Sequence, residues 1–224
     1  MAQLVDLTLP VAAVEDGHAT VATEEWALQS AKGPYTGMVY RFNHGSMSGS
    51  YIDFPGHIKE TDDGADAANF PIEDLFRIEA DVIRLDRDTG SGAVTAPELA
   101  AACRRGTPRR ALVINALGRR RFDAIEERSV FLRDDAVEWI VRRNVRLLVS
   151  DIYESKGVHG VFRVLFENRI ATVCFPINLD RLVAPRVRLT VLFLRLPGVT
   201  QLPCRIVAEV KQPRPVAPGV RLPA

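Results

Sequence analysis

The residues best able to do chemistry lie in one short run, Met47-Ser48-Gly49-Ser50-Tyr51-Ile52-Asp53-Phe54-Pro55-Gly56-His57. On a strand, side chains alternate, so positions 47, 51 and 53 share one face. Met47 carries a soft thioether that suits copper(I) better than zinc, and the neutral phenol of Tyr51 is a poor zinc ligand. Tyr51 is better suited to donate a hydrogen bond to a developing oxyanion. His57, with an unperturbed pKa near ~6.5, can exchange protons at neutral pH. Asp53 either orients its imidazolium or only caps a turn ahead of Phe54-Pro55. Farther along, Cys174 is either a nucleophile or a small packing group, and a buried Tyr51 could equally be core.

The same run is similar to the signature H-x-G-T-H-x-D-x-P-x-H of the cyclase/kynurenine formamidase family. Gly49, Asp53, Pro55 and His57 match, and Ser50 replaces Thr. Asp6-Leu7-Thr8 resembles the family's opening D-L-[ST], and His57 to Asp86 its loop, proline and strand. Asn178-Leu179-Asp180 resembles the late N-L-D, and Pro203-Cys204-Arg205 the closing S-P-x-R strand. The resemblance implies that His57 is the general base. It also implies that metal would be gripped at positions 47, 51, 53, 162 and 174, which here are Met47, Tyr51, Asp53, Phe162 and Cys174. Phe162 cannot coordinate anything, so no metal and no other cofactor is expected.

The expected pocket, lined by Met47, Ser50, Phe162 and Cys174 with Trp26, is more apolar and aromatic than a metal site and suits a hydrophobic, polyketide-like substrate. His57, Asp53 and Tyr51 would drive its cyclisation or dehydration by acid–base chemistry. Two other readings stand beside this one. A metal-dependent amidohydrolase of the kynurenine formamidase type would need Asp53, His57 and Cys174 with His44 as ligands. A non-catalytic binding protein would keep the fold alone. His44 reads as a loop residue, and His159 as a member of a polar helix face with Arg163 and Glu167. The resemblance also implies a homodimer or homotetramer, in which Trp26 and Tyr35 complete a neighbour's pocket or pack in their own subunit.

Positioning these residues takes a sizeable core, and 224 residues with 47% hydrophobic content allow one. Lys+Arg 29 against Asp+Glu 28 leaves a formal charge of +1, which gives no global field toward nucleic acid or membrane. The N-terminus lacks the pattern of a signal peptide, and no apolar run approaches the roughly 20 residues of a membrane helix. Three cysteines without a C-x-x-C pair argue against a disulfide framework or structural zinc. A cytoplasmic protein is the expectation. Arg104-Arg105 and Arg119-Arg120-Arg121 read as solvated faces or as a means of steering an acidic substrate or carrier.

Strand-like runs are frequent: 38–42, 80–85, 111–116, 146–149, 170–175, 189–196 and 205–210. Thr95-Ala96-Pro97-Glu98 has capping-box spacing and opens a helix to about Cys103. Asp134 and Asp135 open another that should stop near Asn144, and Val158, Val161, Phe162, Leu165 and Phe166 form a third apolar stripe. Together they predict one α/β domain over residues 1–210, with a mixed, curved or barrel-like sheet and a few helices, followed by a Pro-rich extended tail over 211–224.

Overall fold

Runs of Val, Ile, Leu and Ala become strands here because both faces of the sheet can be buried at once. The computed structural model describes residues 2–85, 87–104 and 106–211. In chain order the strands are β1 (Ala2–Asp6), β2 (Val14–Glu15), β3 (His18–Ala19), β4 (Val21–Ser30), β5 (Gly33–Phe42), β6 (Tyr51–Asp53), β7 (Ile78–Arg84), β8 (Gly92–Val94), β9 (Ala111–Asn115), β10 (Val130–Leu132), β11 (Leu147–Ser150), β12 (Ala171–Cys174), β13 (Arg186–Leu192), β14 (Gln201–Pro203) and β15 (Arg205–Lys211). The α-helices are α1 (Ala96–Ala102), α2 (Asp134–Arg142) and α3 (Val161–Glu167).

Nine strands form one mixed sheet in the order β1-β15-β13-β7-β9-β11-β12-β6-β14. Its centre, β7-β9-β11-β12, is parallel, and the crossovers carry the three helices. The flanking pairs are antiparallel. β14 pairs with β6 at one end of the sheet, whereas β15, one residue later, pairs with β1 and β13 at the other. That single segment curls the sheet into a half-barrel. The gap is laced by Ile177 N–H to Leu7 O (2.9 Å) and Ser50 N–H to Leu9 O (3.1 Å).

Alternation divides the buried side chains into two cores. Ala80, Val82, Val113, Val149, Val173, Leu189 and Ile206 point into the curl, where Ile52 and Phe54 join them. Ile83, Leu112, Ile114, Leu148 and Cys174 point outward against Leu99, Ala136, Ile140 and Leu165 of the helices. The capping box forms as expected: the Thr95 N–H donates to Glu98 Oε2 at 2.9 Å. Helix α2 starts at Asp134 and is finished by Asn144 in the left-handed region, φ 54.

Four expectations need correction. Gly160, at φ 88, begins α3 only at Val161, so Val158 is 62% exposed and His159 lies in the preceding loop. The strand carrying the 47–57 run begins only at Tyr51, because Gly49 at φ 65 turns the chain just before it. The 189–196 run leaves the sheet after Leu192. The hairpin β4–β5, its two ten-residue strands paired along their whole length, is longer than the 38–42 run suggested. Lys211 ends β15, and the rest of the expected Pro-rich tail lies outside the described residues. Among the described residues, no helix is long and apolar enough to cross a membrane.

Candidate active site

Gly49 is required by packing as well as by its φ, since a Cβ there would lie 2.6 Å from Leu9 O. Ser50 then fastens the turn. Its hydroxyl donates to Phe175 O and accepts from Leu9 N–H, both at 2.8 Å. The expected pocket residue Ser50 is thus a structural bolt. Pro55 opens a 3₁₀ turn over Pro55–His57, which places His57 on the surface beside α3, its ring 6.5 Å from that of Phe166.

Tyr51 and Asp53 project from one face of β6 as alternation predicts. Cys174 stands opposite Tyr51, and Thr172 and Gln201 stand opposite Asp53 on its two sides. The Asp53 carboxylate is 2% exposed. Its Oδ2 lies 3.5 Å from Thr172 Oγ1 and 3.7 Å from Cys174 Sγ, and its Oδ1 has no partner. Burial raises its pKa above the ordinary carboxylate value, against the opposing pull of Gln201, His57, Cys174 and Thr172. Burial likewise raises Tyr51 and Cys174, and the Asp53 charge adds to both; a hydrogen bond from Tyr51 opposes the rise at Cys174 without cancelling it, so both stay protonated. A thiol held neutral is a poor nucleophile. His57 approaches this group only through Gln201, whose Nε2 lies 3.2 Å from His57 Nε2 and whose Oε1 accepts from Ser46.

A cleft of about 410 Å³ opens beside this group. It lies beyond the carboxyl ends of β11 and β12, where parallel sheets receive ligands. Tyr51, Phe162 and Cys174 line it, together with Phe122, Tyr153 and Phe175. Tyr153 and Phe162 stack at 4.9 Å, Phe122 and Phe175 meet at 4.7 Å, and Tyr51 meets Phe175 edge-on at 5.6 Å. Phe175 is turned over the cleft by a positive φ of 52, a strained conformation for a bulky residue. Tyr153 is fixed by donating to Val173 O at 2.8 Å.

Asp151 also lines the cleft, and nothing in the 47–57 run pointed to it. Its carboxylate accepts from Ala116 N–H (2.9 Å) and Leu117 N–H (3.1 Å). Burial nevertheless pushes its pKa up to about 6, against those hydrogen bonds. Its only trace in the sequence is an acid at the end of an apolar strand run.

The remaining expected residues fall elsewhere. Met47 is 59% exposed in the turn and does not line the cleft, because the strand starts four residues later than alternation assumed. Trp26 is 52% exposed on β4 and does not line its own chain's cleft. Tyr35, on β5, is 54% exposed. His44 stays in its loop, with Nδ1 3.1 Å from Gly45 O. His159 is held by Ser155 Oγ at 2.7 Å, and its backbone N–H by Glu154 at 2.8 Å.

These donors do not make a metal centre. Among the described residues, no group of three His, Cys, Asp or Glu is placed to hold an ion. Asp53 Oδ1 is an orphan acceptor, but the groups beside this carboxylate are a neutral thiol and a hydroxyl, which are poor partners for a hard metal ion.

The family model described as "Putative cyclase" matches residues 5–155. A structure described as a potential metal-dependent hydrolase with cyclase activity is similar at 17% identity and TM-score 0.66, covering 95% of this chain and 100% of that one. A predicted metal-dependent hydrolase from Bacillus stearothermophilus gives 17% and 0.65, covering 94% and 100%. Isatin hydrolase A from Labrenzia aggregata, bound to benzyl benzoate, gives 18% and 0.68, covering 94% of each chain. At these identities the likeness is one of fold. No curated protein matches the sequence.

Proposed function

This chain belongs to the cyclase family, and from that premise we propose that it is a metal-independent enzyme closing a ring in a hydrophobic, polyketide-like substrate. The observation that carries the reading is the cleft itself, where aromatic rings and a neutral thiol stand in place of hard metal ligands. A cleft of about 410 Å³ is of the size that takes a small organic molecule. Asp151 is the best-placed base. It accepts a proton from carbon beside a substrate carbonyl, and Tyr51 donates a hydrogen bond to the enolate oxygen that forms. The enolate carbon then bonds to a second carbonyl carbon of the same molecule, and the new alkoxide takes the proton back from Asp151. Asp53 sits behind Tyr51 and Cys174, and Gln201, which stands opposite Asp53 on β14, carries His57 at its outer end. A cofactor has no part in these steps.

A second reading, an amidohydrolase, is favoured by the descriptions of the similar structures as metal-dependent hydrolases. One experiment separates the two. Protein purified with and without chelator is offered isatin, N-formylkynurenine and a short poly-β-ketone ester, and products are read by mass spectrometry and NMR. Ring closure of the poly-β-ketone, unchanged by chelation, is the expected result. Amide hydrolysis that appears only when zinc or manganese is supplied would replace the cyclase reading with the hydrolase one.

We further propose a homodimer or homotetramer. An isolated two-stranded ribbon is marginal in water, and β4–β5 carries Trp26, Leu28 and Tyr35 on one face and Met38, Tyr40 and Phe42 on the other, all exposed. A neighbouring copy covering these side chains would supply the missing burial.

A further inference from the structure

The helix-side core takes no residue from β13 or β15. Over these strands the outer face of the sheet forms a groove of about 410 Å³ whose lining shares no residue with the aromatic cleft. Two glutamates, Glu79 and Glu209, meet six cations there. Glu209 is held by Arg77 at 2.9 Å and Glu79 by Arg109 at 3.0 Å. Arg186 is held by the buried Asp81 at 2.9 Å and reaches Thr107 O at 3.3 Å, which ties the loop before β9 over the groove. Arg104, Arg188 and Lys211 line the same groove and make no ion pair among the described residues.

Arg188 is the most telling of the three. In register it stands between Glu209 on β15 and Glu79 on β7, yet both carboxylates are bound to other arginines. Elsewhere on the surface arginines are matched to acids, as in Arg41–Glu24, Arg119–Asp88, Arg133–Asp135 and Arg163–Glu167. A chain with formal charge +1 thus gathers an uncompensated positive excess into one concavity. Like charges so confined repel, and an anion among them lowers the energy.

We propose that this groove binds the phosphate group of a small phosphorylated molecule, held by Arg104, Arg188 and Lys211. Guanidinium groups suit phosphate because their planar forks present parallel N–H donors to its oxygens. A multiply charged phosphate answers three unpaired cations, where a single carboxylate answers one. The concave, ligand-sized groove fits a small molecule better than the broad contact of a macromolecule.

Isothermal titration of the full chain with inorganic pyrophosphate and with ADP tests the site. Saturable binding that weakens with added salt is expected. Arg188→Gln and Lys211→Gln should each cut affinity about tenfold, the loss of one charge-assisted contact. Arg104→Gln, on an exposed loop, should do the same without touching the sheet. Arg163→Gln, on α3, should bind as the parent does. Tighter binding of ADP identifies a nucleotide as the source of the phosphate, and equal binding identifies the phosphate alone. Absence of saturable binding to either probe overturns the proposal. So do groove variants that bind as tightly as the parent, or binding shown only toward nucleic acid or acidic protein.

Discussion

Tyr51 lines the cleft and has its backbone in a strand paired on both sides, so its hydroxyl can be removed without moving the chain. Tyr51→Phe should therefore lower turnover about 100-fold with little change in substrate affinity, the signature of a bond made in the transition state. A matching loss in affinity would make the phenol a binding group only. Asp151 allows a test by pH. Its carboxyl is lifted to about 6 in the folded protein, whereas an unfolded Asp titrates near ~3.9. Between those values the folded state holds a proton the unfolded state has released. Stability from this group is therefore complete below about pH 4 and lost as pH rises through about 6. Urea unfolding of the parent against Asp151→Asn should show their difference changing across that window. The comparison separates Asp151 from Asp135 and Glu98, whose lowered values give the opposite slope. The replacements at 51, 162 and 174 were legible in the sequence because a ligand's identity is a property of the residue itself. Asp151 was not, because its shift arises from burial that only the assembled β9 and β11 loops create.

Elements with a strong period were read correctly. The capping box of α1, the acidic start of α2 and the doubly buried strands β7, β9 and β11 each declare themselves locally. The start of α3 was misread because Val158 fits the apolar stripe, while Gly160 in the left-handed region interrupts it. Met47 was placed on the strand for a similar reason: alternation has no knowledge of the turn at Gly49. Between elements, the strongest polar tie is Asp81 on β7. It is 2% exposed, accepts from Arg143 and Arg186 at 3.0 and 2.9 Å, and receives Arg109 N–H at 3.2 Å. Asp81→Ala leaves two arginines without their acid and frees the loop before β9. A loss of about 3 kcal/mol in chemical denaturation is expected, and a loss under about 0.5 kcal/mol would place the pair in the class of exposed ion pairs.

At the scale of the molecule, the sheet's closure and its exposed arm have separate consequences. If β4–β5 is a contact between copies, replacing Trp26 and Tyr35 by Ser should shift sedimentation toward monomer while the far-ultraviolet spectrum is kept. A parent that sediments as monomer would leave those side chains facing water. The mixed sheet was foreseeable from the alternation of strands and helices. Its curved, barrel-like form was expected too, but the route of closure was not, because no local pattern shows that 201–203 and 205–211 serve opposite ends. The closure also sets an order of events during synthesis. Thr8 and Ile206, whose bond extends the β1–β15 pairing, are 198 positions apart in sequence. A chain emerging from the ribosome must therefore hold β1 and β6 with open edges until β14 and β15 follow. In that interval the nascent protein is an unsealed ribbon, and the cell's chaperones would have to guard two edges that the finished molecule no longer possesses.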